Sequence, residues 1–470
     1  MALSQLPLPL DTNIKPNANE TYLDKLVRLL SQDLSFHSQS GDYASHRFHS
    51  FPAKFPPQIP RKFIQSLTEP GETVLDPMTG SGTTALEAFI LGRRGLGFDI
   101  DPLALLVSQV KVAPLDSSKV KQVGDNILKR ATIALESSRS DLEQLLENQW
   151  DAKTHEFIDY WFALETQIEL LALLVEIEQI ADESIKAFFQ LVFSAIIITK
   201  SGGVSLAFDL AHTRPHRAKI AISRSGQVLF GQELLNNPSP RSKFLTKKLR
   251  FAPYEFKKRF QQNLKSLLDF DHGSVAPQIR YGNAENLPLD ENSVDLIVTS
   301  PPYASNAIDY MRAHKFSLVW LGYSIGELGQ KRKRYIGGES TTDVEYETLP
   351  SHSAKVVAEL GRIDKRKGRA LHRYYSEMTR TLREMLRVLK PGKAAILVVA
   401  SSILKGRNTE TQNCLAEIGQ TIGFRVPKIG ERKLERNKRM MPTSFKKDSK
   451  SQIQQRMHTE YIIGFYKPKS

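Results

Sequence analysis

The sequence predicts an α/β fold: a Rossmann-like, seven-stranded, mostly parallel sheet with a C-terminal antiparallel strand pair and a large helical insertion. Three observations carry this. Short apolar runs alternate with helical patterns at both ends of the chain, as a parallel sheet with crossover helices requires. From about 115 to 275 that alternation stops and long helical patterns replace it. The last two apolar runs, "FRVPKIGERKL" and "TEYIIGFYK", suit antiparallel pairing.

Residues 1–45 read as a lead followed by an amphipathic helix, "ETYLDKLVRLLSQDL". The proline-rich "SHRFHSFPAKFPPQIPRKFIQSL" then runs from a loop into a helix. "ETVLD" is a strand, "GSGTTALEAFILG" a helix with a glycine stop, "RGLGFDID" a second strand and "PLALLVSQVKV" another helix. The segment 46–114 therefore forms the first part of the α/β domain. The insertion, 115–275, contains "THEFIDYWFALETQIELLALLVEIEQI" and one candidate hairpin in "AKIAISRSGQVLFGQELL". Strands resume over 276–470 with "QIRYGNAENLP", "SVDLIVTSPPY" and "KAAILVVAS", followed by the helix "TQNCLAEIGQTIGF" and the final strand pair.

Of 470 residues, 65 are Lys or Arg and 51 Asp or Glu, a net charge of +14 that favours a polyanionic partner, although solubility alone also accounts for it. The single cysteine, Cys414, excludes an internal disulfide and a cysteine zinc cluster, and fits a reducing, cytoplasmic setting. The first residues lack a basic stretch ahead of an apolar core, so no signal peptide is read. "AFFQLVFSAIIITK" at 187–200 is too short to span a membrane and reads as a buried helix. No metal is expected.

Chemistry concentrates in two places. In "VLDPMTGSGTTALEA", Gly80 and Gly82 lie between a strand and a helix. Glycine there permits a sharp turn and close approach of a ligand to the backbone, and the helix offers unpaired N–H groups. A phosphate-cradling P-loop would need a lysine after Gly82, and none is present. A dinucleotide fingerprint matches formally through Gly80, Gly82 and Ala85, and a tight turn without a ligand also fits. A third reading is S-adenosyl-L-methionine, whose ammonium suits an acid such as Asp76. Asp99 sits where an acid accepts ribose hydroxyls, which points to a nucleoside without choosing one. The second place is "TSPPY" at 299–303, two prolines and a tyrosine closing a strand.

Together, "DPMTGSGTT", "GFDID" and "TSPPY" resemble the amino-directed DNA methyltransferases, and the [ST]-P-P-Y form resembles the cytosine-N4 branch. "FHSFPAKFPPQIPRKFI" resembles the cofactor motif that opens the same family. The resemblance spans about 46–112 and 278–467. It implies a methyltransferase sheet and a site-specific enzyme that takes S-adenosyl-L-methionine and modifies a flipped-out base in double-stranded DNA. Asp76, Met78, Gly80, Ser81, Gly82, Thr83 and Thr84 would lie around the methionine part. Lys54, Phe55 and Pro56 would cover it, Asp99 would take the ribose, and Asn283 would stand where the family usually has an aspartate for the adenine. Met78 replaces a frequent phenylalanine.

Ser300, Pro301, Pro302 and Tyr303 would form the catalytic pocket. The cytosine amino nitrogen is a poor nucleophile because its lone pair is delocalised. Rigid acceptors at Ser300 and its carbonyl would draw the amino hydrogens out of plane, while Tyr303 would stack on the base. Basic runs at 241–260, 330–335, 364–369 and 431–441 could hold phosphates, or be solvated faces. Candidate DNA contacts are Arg214, His216, Arg217, Lys247, Lys248, Arg312, His314, Lys331 and Arg332. The target-recognition region is read in the insertion, or else in 325–368. A restriction endonuclease is a possible partner. Adenine-N6 methylation, RNA amino methylation, a dinucleotide oxidoreductase and a non-enzymatic nucleic-acid-binding module are the competing readings.

Overall fold

The computed structural model describes residues 20–434 and 459–469, apart from 38, 200–202, 209, 211–214, 237–244, 268–274, 305–308 and 339–343. Seven strands form the main sheet: β1 (Thr73–Asp76), β2 (Arg94–Asp99), β3 (Gln278–Tyr281), β4 (Val294–Thr299), β5 (Leu389–Val399), β6 (Arg425–Lys433) and β7 (Thr459–Tyr466). Their order across the sheet is β3-β2-β1-β4-β5-β7-β6. β1 to β5 run parallel, and β7 is antiparallel to both its neighbours. The seven expected strands and the terminal antiparallel pairing are all present.

Both faces of the sheet are covered, which is why its central strands read as continuous apolar runs instead of alternating ones. All six residues of β4 are buried. Alternate positions divide between two cores. Val74, Leu296, Val298 and Ile396 pack with Leu26, Ile59 and Phe63 from the Tyr22–Leu30 and Gln58–Leu67 helices. Leu75, Ile297 and Leu397 pack with Tyr375, Met378 and Leu415 from the Lys365–Val388 and Thr411–Thr421 helices.

The middle section is largely helical, from Ser117–Ser137 through Glu183–Ile197 to Ala252–Leu264. Residues 187–197 of the apolar stretch lie in the Glu183–Ile197 helix, with Phe188, Phe189, Leu191 and Phe193 fully buried. The expected hairpin forms between Ile220–Ile222 and Val228–Phe230. A third short strand, Thr246–Lys248, joins it in parallel. In the sequence that strand is only part of a basic run, because three residues give periodicity nothing to register. The insertion shares a core with the α/β unit: Phe189 and Phe193 belong to the same cluster as Phe48, Leu103, Phe316 and Trp320. No described helix is long and apolar enough to cross a membrane.

Candidate active site

β1 and β4 are neighbours whose connections leave in opposite directions, and the crevice beyond their carboxyl ends is where open α/β sheets take ligands. A cavity of about 420 Å³ lies there. Asp76 closes β1, Asp99 closes β2 and Ser300 follows β4, and all three line it. The wall continues through Met78, Gly80, Ser81, Asn283 and Pro302. Thus the two motifs, 220 positions apart in sequence numbering (80 to 300), face one space.

The acids at its base are held by backbone donors. Asp76 accepts from the Met78 N–H at 3.2 Å, and burial pushes its carboxyl up to about 6. Asp99 accepts from Gly80 N–H on Oδ2 (2.8 Å) and from Asp101 N–H on Oδ1 (2.9 Å). Burial, then the nearby Asp101 charge, pushes Asp99 up to about 7. Each oxygen keeps a further lone pair for a ligand.

The neighbouring glycines do different work. Gly80 has φ +48, and a Cβ on it would meet nothing closer than the Phe51 ring at 3.7 Å and the Met78 carbonyl at 4.0 Å. Phe51 also lines the cavity, so that space opens onto it. Gly82 has φ +75, and a Cβ there would fall 2.7 Å from Ser108 Cβ and 2.9 Å from Ser108 Cα. It allows the Thr83–Ile90 helix to approach the Pro102–Val112 helix closely and does not line the cavity. Thr83 and Thr84 are buried behind the loop, with Thr84 Oγ1 donating to the Val298 carbonyl at 3.1 Å. The buried Lys111 donates from Nζ to the Ser81 carbonyl at 2.5 Å, and burial holds its amine well below the usual lysine range.

Of the covering segment, Phe55 lines the cavity, whereas Lys54 and Pro56 do not. Lys54 Nζ donates to the His46 carbonyl at 2.9 Å, which ties the segment to the preceding turn. Asn283 lines the opposite wall, where its Oδ1 accepts from Glu285 N–H at 3.1 Å.

In the TSPPY loop, Ser300 Oγ donates to the Val398 carbonyl at 3.2 Å, leaving its lone pairs as acceptors. Pro302 lines the cavity, and Pro301 is buried beneath it. Tyr303 departs from expectation. Its hydroxyl donates to Glu460 Oε1 on β7 at 2.9 Å, and the residue does not line the cavity. Glu460 in turn pairs with Arg432 of β6 at 3.0 Å, so Tyr303 fastens the loop to the sheet edge.

The candidate DNA contacts scatter. Two are corrected by burial. Lys247 points inward and donates to the Ala207 carbonyl at 2.6 Å, and burial lowers its amine to about 7. His314 is fully buried, with Nδ1 2.7 Å from Asp101 Oδ2. Alternation along the short strand turns Lys247 inward and leaves Lys248 exposed. Arg217 lies between the Tyr160 and Phe230 rings, its centre 4.5 Å from each, and donates to the Tyr160 carbonyl. His216 is exposed on a two-residue strand. Arg312 pairs with Asp309 at 2.9 Å, and Arg332 pairs with the same acid. Lys331 lies 3.5 Å from Glu327. Arg332 alone of these lines the cavity. Arg214 lies outside the described residues.

Sequence reasoning missed the wall opposite the glycines. Asp101 caps the Pro102–Val112 helix through Leu103 and Ala104 N–H and also accepts from the Tyr335 hydroxyl at 2.6 Å. Burial raises the Asp101 carboxyl, but His314, Tyr335 and the backbone donors outweigh it and hold the group low. Tyr310 and Tyr335 also line the cavity, as do Lys333 and Arg366 from the basic runs at 330–335 and 364–369. The D-P pair at 101–102 did carry a capping signal, but nothing local links positions 101, 314 and 335.

A family model described as a DNA methylase, of the N6/N4 type, matches residues 13–109. The Type II methyltransferase M.MvaI of Kocuria varians is 24% identical over 425 residues, covering 84% of this chain and 86% of its own length. M.BsoBI of Geobacillus stearothermophilus, also a Type II methyltransferase, is 22% identical over 469 residues, covering 86% and 84%. Among solved structures, the rRNA methyltransferase AviRa of Streptomyces viridochromogenes overlaps with a TM-score of 0.26 at 9% identity, covering 93% of this chain and 91% of that one. A Thermus thermophilus protein solved with S-adenosyl-L-methionine overlaps at a TM-score of 0.20 and 17% identity; 40% of this chain and 52% of that one are covered. The motifs and the matched family model agree: over residues 13–109 the chain is similar to the N6/N4-type DNA methylases, and over most of its length to Type II methyltransferases.

Proposed function

We propose that the chain is a site-specific DNA methyltransferase that moves a methyl group from S-adenosyl-L-methionine to the exocyclic amino nitrogen of a flipped-out cytosine. The observation that carries this is the single cavity lined by both the glycine cluster and the Ser300–Pro302 turn. The residues present fit the cofactor. Asp76 and Asp99 are acids whose ionisation burial opposes, so a cationic ligand would restore it. The open lone pairs of Asp99 suit two ribose hydroxyls, and the space before Gly80 leaves room for an atom against the backbone. Bound there, S-adenosyl-L-methionine supplies an electrophilic methyl on sulfur.

The chain supplies positioning and acceptors. Ser300 Oγ, oriented by its bond to Val398, accepts a hydrogen bond from one amino hydrogen and the Ser300 carbonyl from the other, and the methylated amine releases one of these protons to solvent. Pro301 and Pro302 fix φ, so these acceptors need no reorganisation during the reaction. Tyr303 contributes by anchoring the loop through Glu460.

Adenine N6 is the second reading, since the same acceptors suit either amino group. The S-P-P-Y form favours cytosine. The names of the similar proteins support a place in a Type II restriction–modification system, with a cognate endonuclease as partner. In calorimetric titration, S-adenosylhomocysteine binds and NAD does not. Mass spectrometry of nucleosides from DNA modified by the chain returns N4-methylcytosine. Binding of NAD, or N6-methyladenine as the sole product, overturns the cofactor or the base assignment respectively.

A further inference from the structure

The cavity is electrically two-sided. Its buried lining holds Asp76, Asp101 and Arg373, the last paired with Glu377, and its exposed lining carries Arg332, Lys333 and Arg366. The exposed cations come from two helices: Arg332 and Lys333 from the last turn of Ile325–Lys333, and Arg366 from the first turn of Lys365–Val388. Arg332 is paired with Asp309, which it shares with Arg312. Among the described residues, neither Lys333 nor Arg366 has a carboxylate partner.

Their placement is not accidental crowding on a loose surface. The Lys333 carbonyl accepts from Arg373 Nη2 at 2.9 Å, and Arg373 is bound to Glu377 at 2.7 Å, so the backbone under Lys333 is fixed. Lys365, Arg366 and Lys367 occupy a helix first turn that contains no acid, where the helix dipole disfavours cations. The capping Asp364 offsets part of this, but its carboxylate also lies 3.8 Å from Lys405. A bound anion would relieve the remainder.

We propose that Lys333 and Arg366 hold backbone phosphates of the DNA strand whose base enters the cavity. This rests on the methyltransferase reading above and deepens it: the buried acids take the cationic cofactor, and the exposed cations take the polyanion. The other anion that could reach these cations is the cofactor's own carboxylate.

The test uses the full chain, tritiated S-adenosyl-L-methionine and unmethylated amplified bacterial DNA over a range of NaCl concentrations. Wild type, Lys333→Ala, Arg366→Ala, the double variant and Arg366→Lys are compared. Each alanine variant raises KM for DNA severalfold and flattens its log–log dependence on salt by about 0.9 for each phosphate no longer neutralised. Their kcat and affinity for S-adenosylhomocysteine stay at wild-type values, and Arg366→Lys keeps the wild-type salt slope. An unchanged slope in the double variant overturns the proposal. Weaker S-adenosylhomocysteine binding with an unchanged slope also overturns it and assigns the cations to the cofactor's carboxylate. A wild-type chain that transfers no label to DNA defeats the underlying reading, and this proposal with it.

Discussion

Two glycines two positions apart should fail in opposite ways when replaced by alanine. In Gly82→Ala the new methyl lies 2.7 Å from Ser108 Cβ and 2.9 Å from its Cα, at φ +75. Ser108 is fully buried, and a backbone atom cannot swing aside. Left-handed strain costs about 1–2 kcal/mol and overpacking a further 1–3 kcal/mol or so, roughly 2–5 kcal/mol of folding stability together. In Gly80→Ala the methyl meets nothing closer than the Phe51 ring, at 3.7 Å, an ordinary van der Waals distance. Its stability cost is therefore the strain alone, about 1–2 kcal/mol, but the methyl occupies ligand space. Forcing a ligand past it costs about 1–3 kcal/mol, roughly a five- to 150-fold loss of affinity. Denaturant unfolding and titration with S-adenosylhomocysteine measure the two quantities. A Gly82→Ala chain as stable as wild type, or a Gly80→Ala chain that binds with undiminished affinity, would refute the division of labour.

Asp99, pushed up to about 7, makes S-adenosylhomocysteine affinity rise with pH through neutrality, because only the carboxylate accepts both ribose hydroxyls; Asp99→Asn removes that slope. The sign for stability is opposite. Because the folded value lies above the ordinary 3.8, the Asp99 contribution is full below 3.8 and is lost as pH rises towards about 7, and unfolding of the ligand-free chain across that window shows the loss only when Asp99 is present. Ser300→Ala removes one charge-polarised acceptor, worth about 1.5–3 kcal/mol. Single-turnover rates fall roughly ten- to 150-fold while S-adenosylhomocysteine affinity holds. Tyr303→Phe breaks the 2.9 Å bond to Glu460 and lowers stability by about 1.5–3 kcal/mol, read in thermal unfolding, with cofactor affinity unchanged.

The sheet was legible because its strands are buried on both faces. Runs such as "VDLIV" have no other economical use, and each ends in a residue with chemistry. Asp76, Gly80, Asp99 and Ser300 were legible for the same reason, since chain topology alone delivers strand ends to one edge. What lay beyond short-range pattern was burial within small elements and pairing across long separations. Lys247 resembles a surface cation in a basic run, yet three residues of strand turn it inward onto a carbonyl. His314 has the chemistry to touch DNA, but Asp101 claims it from 213 positions away. Gly82 reads as a ligand contact, and its tolerance for positive φ serves helix packing instead. Tyr303 offers a stacking face in the sequence, and only the folded sheet brings Glu460 to its hydroxyl.

The most direct examination of the shared cavity is a crystal structure of the chain with S-adenosylhomocysteine. The sulfur should lie between Gly80 and the Ser300–Pro302 turn, with the ribose hydroxyls on Asp99. A ligand bound elsewhere, or a sulfur screened from Ser300 by protein, would contradict the assignment of methyl transfer to this site.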